Sequence, residues 1–331
     1  MKIFDLHSKK LLLGSAIVLL LLLSFITFII SHSEKEPISE TRFMLDTICT
    51  LTLHDWQGDG SEIIDGAFGI CKKYDHLLST TVSGSDIYNI NHSEGKPVKV
   101  AEETAALLRR TLEYCEMSEG EFDITIYPAK SLWDFSGDNA NLPDQKELAK
   151  AASKVDYTKV NINGRNVTVP KGMGIDLGAV AKGFIADRVA EYLKAHKVTS
   201  AIIDLGGNVY VLGSKPDGTN WRVGIRMPFA NEEADVVETS NASVVTSGVY
   251  QRYFEHDGRI YHHILRSSDG MPCETGLYSV TIISKSSEQC DALSTVCMLL
   301  GYEKSVSMLC GFSDVRAVFI TSENQLLYYT P

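Results

Sequence analysis

The sequence contains no CxxC pair, no Walker loop and no dinucleotide-binding GxGxxG, and each absence removes a class of chemistry. Without CxxC spacing among the seven cysteines (49, 71, 115, 273, 290, 297 and 310), neither a zinc site nor a thioredoxin-type redox motif is indicated. The odd count leaves at least one thiol unpaired, and most of the seven read as small buried hydrophobes. Positive charge is also scarce: 31 Lys and Arg stand against 42 Asp and Glu, a formal net charge of −11. That balance argues against a nucleic-acid partner, because phosphate backbones call for basic surfaces. No internal repeat and no low-complexity tract is present. No cysteine follows the N-terminal apolar run, so lipid attachment there has no support.

That run, residues 11–30, carries no charged side chain. Twenty residues at ~1.5 Å each span about 30 Å, the thickness of a bilayer's hydrocarbon core. Lys2, Lys9 and Lys10 precede it, so the positive side stays in the cytoplasm and the remainder is expected outside. A cleavable signal peptide competes, with Ser31 and Ser33 as small residues at a cleavage site, but the run exceeds the usual apolar core of about 7–15 residues. The expected organisation is a cytoplasmic N-terminus (1–10), a retained single-pass transmembrane anchor (11–30), a polar linker (31–42) and one catalytic body (43–331) at the cell membrane.

Periodicity assigns most of that body. Residues 43–54 read as one strand. Residues 61–78 place Ile63, Ile64, Ala67, Ile70, Tyr74 and Leu77 at helical spacing, and residues 102–117 also read as a helix. Residues 133–143 are rich in Gly, Asn and Asp and read as loop. Asn163-Gly164 and Asp257-Gly258 each mark a hairpin. Residues 175–177 end a strand and a helix covers 179–196. Strands follow at 201–205, 209–212, 221–226 and 278–284. A further helix runs to Leu300 and stops at Gly301, and strands at 315–320 and 325–329 close the chain. The class is mixed, α+β or α/β in one body.

Four segments could carry chemistry. Residues 172–183 run strand, glycine turn, helix, and unpaired N–H groups at such a helix start suit a phosphate; a tight turn that needs glycine is the competing reading. Lys182, one turn in, could reach that phosphate or be solvated. Ser286 to Gln289 resembles a capping box, which puts Asp291 in the first turns of a helix with Thr295 on the same face. A carboxylate and a hydroxyl are hard oxygen ligands suited to Mg²⁺, although the helix dipole alone would also favour the acid. In residues 261–265, His262 and His263 point to opposite faces if the strand persists, with His263 on the side of Tyr261 and Leu265. A histidine near an electrophile can act as general base, although a satisfied structural role is the commoner outcome. Asp123, between apolar residues in 120–128, is either a ligand-contact edge or a turn cap.

Together these segments resemble the FAD:protein FMN transferases of the ApbE family. The pieces that carry the likeness are EFDITIYPAKSLWDF (121–135), IDLGAVAKGFIADRV (175–189), DLGGNVYVLG (204–213), WRVGIRMP (221–228), TSGVYQRYF (246–254), YHHIL (261–265) and SVTIISKSSEQCDALSTVCMLLG (279–301), in register over about nine-tenths of the chain. The resemblance implies an α+β, T-fold-related body and a reaction. FAD binds with its diphosphate on Mg²⁺, a Thr or Ser hydroxyl of a target flavoprotein attacks the FMN-side phosphorus, and AMP leaves. It assigns the metal to Asp291, Thr295 and the carbonyl of Ala179. Flavin and nucleotide contacts fall on Leu45, Thr81, Glu121, Phe122, Asp123, Asp176, Lys182 and Leu265. Proton transfer falls on His263 or Asp176. The implied acceptor is an FMN-binding domain of a membrane electron-transfer complex.

Three positions depart from the family pattern. Leu45-Asp46-Thr47 replaces Met-Gly-Thr. Arg266 and Ser267 replace Asp-Pro after the two histidines, which predicts a less rigid loop. Thr81 replaces a common aromatic, which weakens stacking on the flavin ring. Two other activities share the same site: an FAD pyrophosphatase in which water attacks, and an anchored flavin-binding protein without turnover.

Overall fold

A computed structural model describes residues 36–135, 140 and 142–331. The anchor expected at 11–30, the cytoplasmic segment before it and the first part of the linker lie outside the described residues. Among the described residues no helix is long and apolar enough to cross a membrane.

The body starts inside the segment read as linker. Strand β1 (Ile38–Met44) pairs with β2 (Thr47–Asp55), so residues 43–54 are not one strand but part of a hairpin. Its two turn residues, Leu45 and Asp46, have φ of 57° and 54°, the type I′ geometry usually supplied by Asn-Gly. Leucine has no preference for that region, so the turn carries no sequence signal.

Helix α1 (Gly60–Leu78) is capped by the Asp59 side chain and buries Ile63, Ile64, Ala67, Phe68 and Cys71. Then come α2 (Asp86–Asn91), β3 (Val98–Lys99), α3 (Glu102–Met117), α4 (Tyr127–Lys130) and α5 (Gln145–Ala152). The expected hairpin around Gly164 forms as β4 (Asn161–Asn163) and β5 (Asn166–Thr168). Residues 175–177 join no strand; the neighbouring contact is one isolated bridge, Ile126 with Gly174.

Helix α6 (Ala181–Ala195) leads into β6 (Ser200–Leu205) and β7 (Asn208–Leu212). Next are β8 (Trp221–Arg226), β9 (Glu233–Thr239), β10 (Ala242–Gly248), β11 (Tyr253–His256), β12 (Arg259–His262) and β13 (Leu277–Ser284). Helix α7 (Ser287–Leu300) ends at Gly301, φ 76°, as expected, but α8 (Tyr302–Leu309) follows at once. Strands β14 (Arg316–Thr321) and β15 (Leu326–Tyr329) finish the chain.

Eight strands form one sheet in the order β1-β2-β6-β7-β10-β13-β14-β15. Every pairing in it is antiparallel, which makes the fold α+β. Side chains alternate across a strand, and here both faces are apolar. Val245, Ile282, Ala317 and Phe319 join the main core with α1, α6 and α7. Their neighbours Val244, Ile283, Val318 and Ile320 join a second cluster with Ile225 and Val237 of the β8–β9 hairpin. Helix α7 packs on β10 and β13 and against α6, and that contact positions the site.

Candidate active site

Helices α6 and α7 touch through a glycine. A Cβ on Gly183 would lie 2.2 Å from the Ser287 carbonyl oxygen and 2.7 Å from the Asp291 Cβ, so no larger residue allows this approach. The Gly183 N–H donates to Asp291 Oδ2 at 2.9 Å. Gly183 lies in the first turn of α6, where N–H groups lack helical partners. Its bond to the carboxylate takes the place of one to the Ala179 carbonyl, and no backbone N–H among the described residues donates to that carbonyl.

Asp291 is buried, and its Oδ1 accepts no hydrogen bond among the described residues. One turn on, Thr295 Oγ1 meets Ser247 Oγ at 3.0 Å, and Ser247 also meets Ser294 Oγ at 2.8 Å. Asp291, Thr295 and Ala179 therefore offer a carboxylate, a hydroxyl and a carbonyl, all hard oxygens of the kind Mg²⁺ accepts. Among the described residues no cluster of three or more His, Cys, Asp or Glu could hold a metal.

The capping box expected at Ser286 forms by half. Ser286 Oγ accepts from Gln289 N–H at 3.2 Å, but the Gln289 side chain turns to Ser284. Asp187, one turn beyond Gly183 on α6, completes the cap. Its carboxylate accepts from the N–H groups of Ser287 and Glu288 and from Ser286 Oγ, at 2.8–3.0 Å. Nothing local in the sequence announces this bond across about a hundred residues.

A second group of side chains gathers at the other end of the glycine turn. Asp176 receives Lys130 Nζ on both oxygens, at 2.7 and 2.8 Å, and Gly178 N–H on Oδ1 at 2.8 Å. Burial opposes its charge, but the Lys130 ammonium and these hydrogen bonds outweigh burial and hold the carboxyl below its usual range. The Asn91 side chain bonds both backbone groups of Ile175, and Asp176 N–H donates to the Ile124 carbonyl at 2.8 Å, so the segment is clamped from two sides.

His263 lies beside this pair. Strand β12 ends at His262, so alternation does not carry His263 to the side of Tyr261 and Leu265, both of which are buried in a cluster with Ala129 and Trp133. The two histidines differ in their surroundings. His262 is buried, with Nε2 bonded to the Cys273 carbonyl at 3.0 Å, and burial lowers it to about 4. His263 Nδ1 lies 3.3 Å from the Arg252 carbonyl, a contact that requires Nδ1–H and leaves Nε2 as the acceptor. Burial first, then the charge of Lys130, lowers it to about 3, so it is neutral near pH 7. Arg252 also reaches the hairpin tip, where its Nη2 donates to the Asp46 carbonyl at 3.3 Å.

The remaining expected residues divide. Leu45 is half-buried at that same tip. Lys182 is half-buried, and its charge acts on Cys49 against that of Asp204. Leu265 is buried two residues from His263. Glu121 is half-buried and Phe122 belongs to the main core. Asp123 is a turn anchor: Oδ1 accepts from Thr125 N–H and Oγ1, both at 2.7 Å, and Oδ2 from Tyr157 N–H at 2.8 Å. Thr81 is exposed and bonded to Ser79, and no contact among the described residues joins it to either group.

The loop after His263, where Asp-Pro is lost, carries hydrogen bonds of its own. Arg266 pairs with Asp269 through two bonds, at 3.2 and 2.6 Å, Asp269 accepts from Met271 N–H, and Trp133 Nε1 donates to the Gly270 carbonyl at 2.9 Å. Sequence reasoning missed Lys130, Asp187, Ser247 and Arg252. All four stand inside the quoted motif pieces, and only their partners in space reveal them.

Comparison with known proteins agrees with this fold. The ApbE family model matches residues 45–319. An FAD:protein FMN transferase of Treponema pallidum is 34% identical over 317 residues, covering 89% of this chain and 87% of that protein. One from Klebsiella pneumoniae is 34% identical over 270 residues, covering 80% and 84%. The crystal structure of an ApbE protein from Thermotoga maritima superposes with a TM-score of 0.82 at 28% identity, over 88% of this chain and 96% of that one. The apo flavinyl transferase ApbE of Pseudomonas stutzeri gives 0.78 at 29%, over 89% and 95%. The chain belongs to the ApbE family.

Proposed function

We propose that the protein transfers the FMN half of FAD to a threonine or serine hydroxyl of a target flavoprotein and releases AMP. The observation that carries this reading is the bond from Gly183 N–H to Asp291 Oδ2. It holds the Asp291 carboxylate at the start of a glycine-led helix, and this supports a site that would be completed by the Thr295 hydroxyl and the Ala179 carbonyl. These three residues would hold Mg²⁺, which screens the diphosphate charge and stabilises charge developing on the AMP leaving group.

The chain's own residues do the rest. The acceptor hydroxyl oxygen forms a bond to the FMN-side phosphorus. The bond from that phosphorus to the bridging oxygen breaks, and AMP departs with the bridging oxygen. His263 Nε2 takes the hydroxyl proton, since its Nδ1–H is directed at Arg252. A bound diphosphate places negative charge near the imidazole and raises its proton affinity from the depressed value. Asp176 is unsuited as base, because both its oxygens already accept from Lys130. Leu45 and Leu265 offer apolar contacts to the flavin, and Lys182 a cation to the nucleotide. The body works outside the cytoplasm on the anchor at 11–30, supported by the three lysines before it, and protease added to intact cells should digest it.

The full chain, incubated with FAD, Mg²⁺ and an FMN-acceptor domain, should add the mass of one FMN to that domain. FAD binding with no mass gain refutes the transferase. Free FMN and AMP released as fast without an acceptor would establish the pyrophosphatase instead.

A further inference from the structure

We infer that Lys130 is a phosphate-contacting residue, its ammonium held by Asp176 at the glycine turn so that it takes a non-bridging oxygen of a dinucleotide's diphosphate. The ligand's identity rests on the transferase reading; the placement rests on geometry. Lys130 Nζ lies 3.1 Å from where a Cβ on Gly178 would stand, hence directly against the turn that opens α6. An ammonium has three donors, and Asp176 takes two of them at 2.7 and 2.8 Å, which leaves one. The lysine is the more open member of the pair, its side chain 36% exposed against 11% for Asp176. Asp176 cannot follow it outward, because Gly178 N–H and the clamp on Ile175 fix it. With Arg252 and neutral His263 nearby, the group carries a net positive charge where a phosphoryl group would be drawn.

The competing account is that the pair only pins α4 to the 174–178 segment. Binding separates the two, because riboflavin shares the flavin ring with FAD and lacks the diphosphate. In the full chain with Mg²⁺, Lys130→Met should weaken FAD binding by about tenfold or more, the usual worth of a hydrogen bond to a charged group, and leave riboflavin affinity unchanged. Lys130→Arg, which keeps the charge and can reach a carboxylate and a phosphate oxygen together, should lose less FAD affinity than Lys130→Met. Unchanged FAD affinity in Lys130→Met, or equal losses for both flavins, overturns the assignment. A second measurement needs no variant: reductive methylation of Lys130 should be slowed by FAD and by inorganic pyrophosphate but not by riboflavin. Methylation at the same rate with and without FAD overturns it too. Neither readout involves transfer, so an FAD-selective loss in a chain that never modifies an acceptor would retire the transferase reading and keep Lys130 at the phosphates.

Discussion

The two halves of the site are built in opposite ways. Around Asp291 the polar atoms are buried between two packed helices, and the critical contacts are a backbone N–H, a missing Cβ and serine hydroxyls. Around Asp176 and His263 the groups are charged or ionisable, come from short elements and loops, and lie closer to solvent. The first half cannot be disturbed without disturbing the core. The second can lose a side chain and keep its fold. Substitutions should therefore cost stability and activity together in the first half, and separate them in the second.

The largest effect is expected from Asp291→Ala. It removes the one carboxylate of the proposed metal site and strands Gly183 N–H in a buried contact. Mg²⁺-dependent FMN transfer should fall by about a thousandfold or more, in line with the several kcal/mol that a catalytic cation supplies. Thermal unfolding should show a loss of about 1–3 kcal/mol for the unsatisfied donor. Full activity in this variant would remove the metal assignment.

Gly183→Ala tests whether the buried half is as unforgiving as its geometry implies. The added methyl meets backbone at 2.2 Å, and backbone cannot rotate away. Overpacking of this kind costs about 1–3 kcal/mol. Separating α6 from α7 by a fraction of an ångström should also lower transfer by about a hundredfold. A variant with the parent's melting temperature would show that the helices are not in tight contact.

The buried half was also the more legible. Asp291 and Thr295 sit four residues apart on one helix, and Gly178 precedes another, so each signal was local. Their meeting was not local, and it came from the family resemblance. Asp187 caps a helix a hundred residues away, and Lys130 meets Asp176 across 46 positions, so no periodicity registers either. The β1–β2 hairpin was invisible because Leu45 and Asp46 occupy a turn that other residues usually fill. Residues 175–177 read as the end of a strand, yet the Asn91 side chain and the Ile124 carbonyl take backbone groups there instead of a sheet neighbour. Helix spans at 61–78 and 102–117 were legible because each buries one face at the helical period.

His262, the buried neighbour of the charged half, should reveal itself through pH. Burial lowers His262 from the usual 6.5 to about 4. Between these values the unfolded chain binds a proton that the folded chain does not, so this stability is present above pH 6.5 and is lost as the pH falls toward 4. At ~1.4 kcal/mol per pH unit the loss from His262 approaches about 3 kcal/mol. His263 acts in the same direction. Urea unfolding followed from pH 7 to pH 4 should be steeper in the parent than in His262→Gln, which retains a donor for the Cys273 carbonyl and cannot titrate. Equal slopes would mean that His262 is not held neutral.

The smallest effect should come from Asp269→Ala. Arg266 and Asp269 are about a third to a half exposed, and pairs of that kind contribute about 1 kcal/mol at most. Asp269 also accepts from Met271 N–H, but solvent can replace that bond in an open loop. The variant should melt within a few degrees of the parent. Its expected mark is kinetic. The loop leads directly from His263, and Trp133 is bonded to its Gly270 carbonyl, so loosening it should lower the transfer rate a few-fold while FAD affinity holds. A stability loss as large as that of Gly183→Ala would mean that the two halves are equally rigid, and the contrast between them would fail.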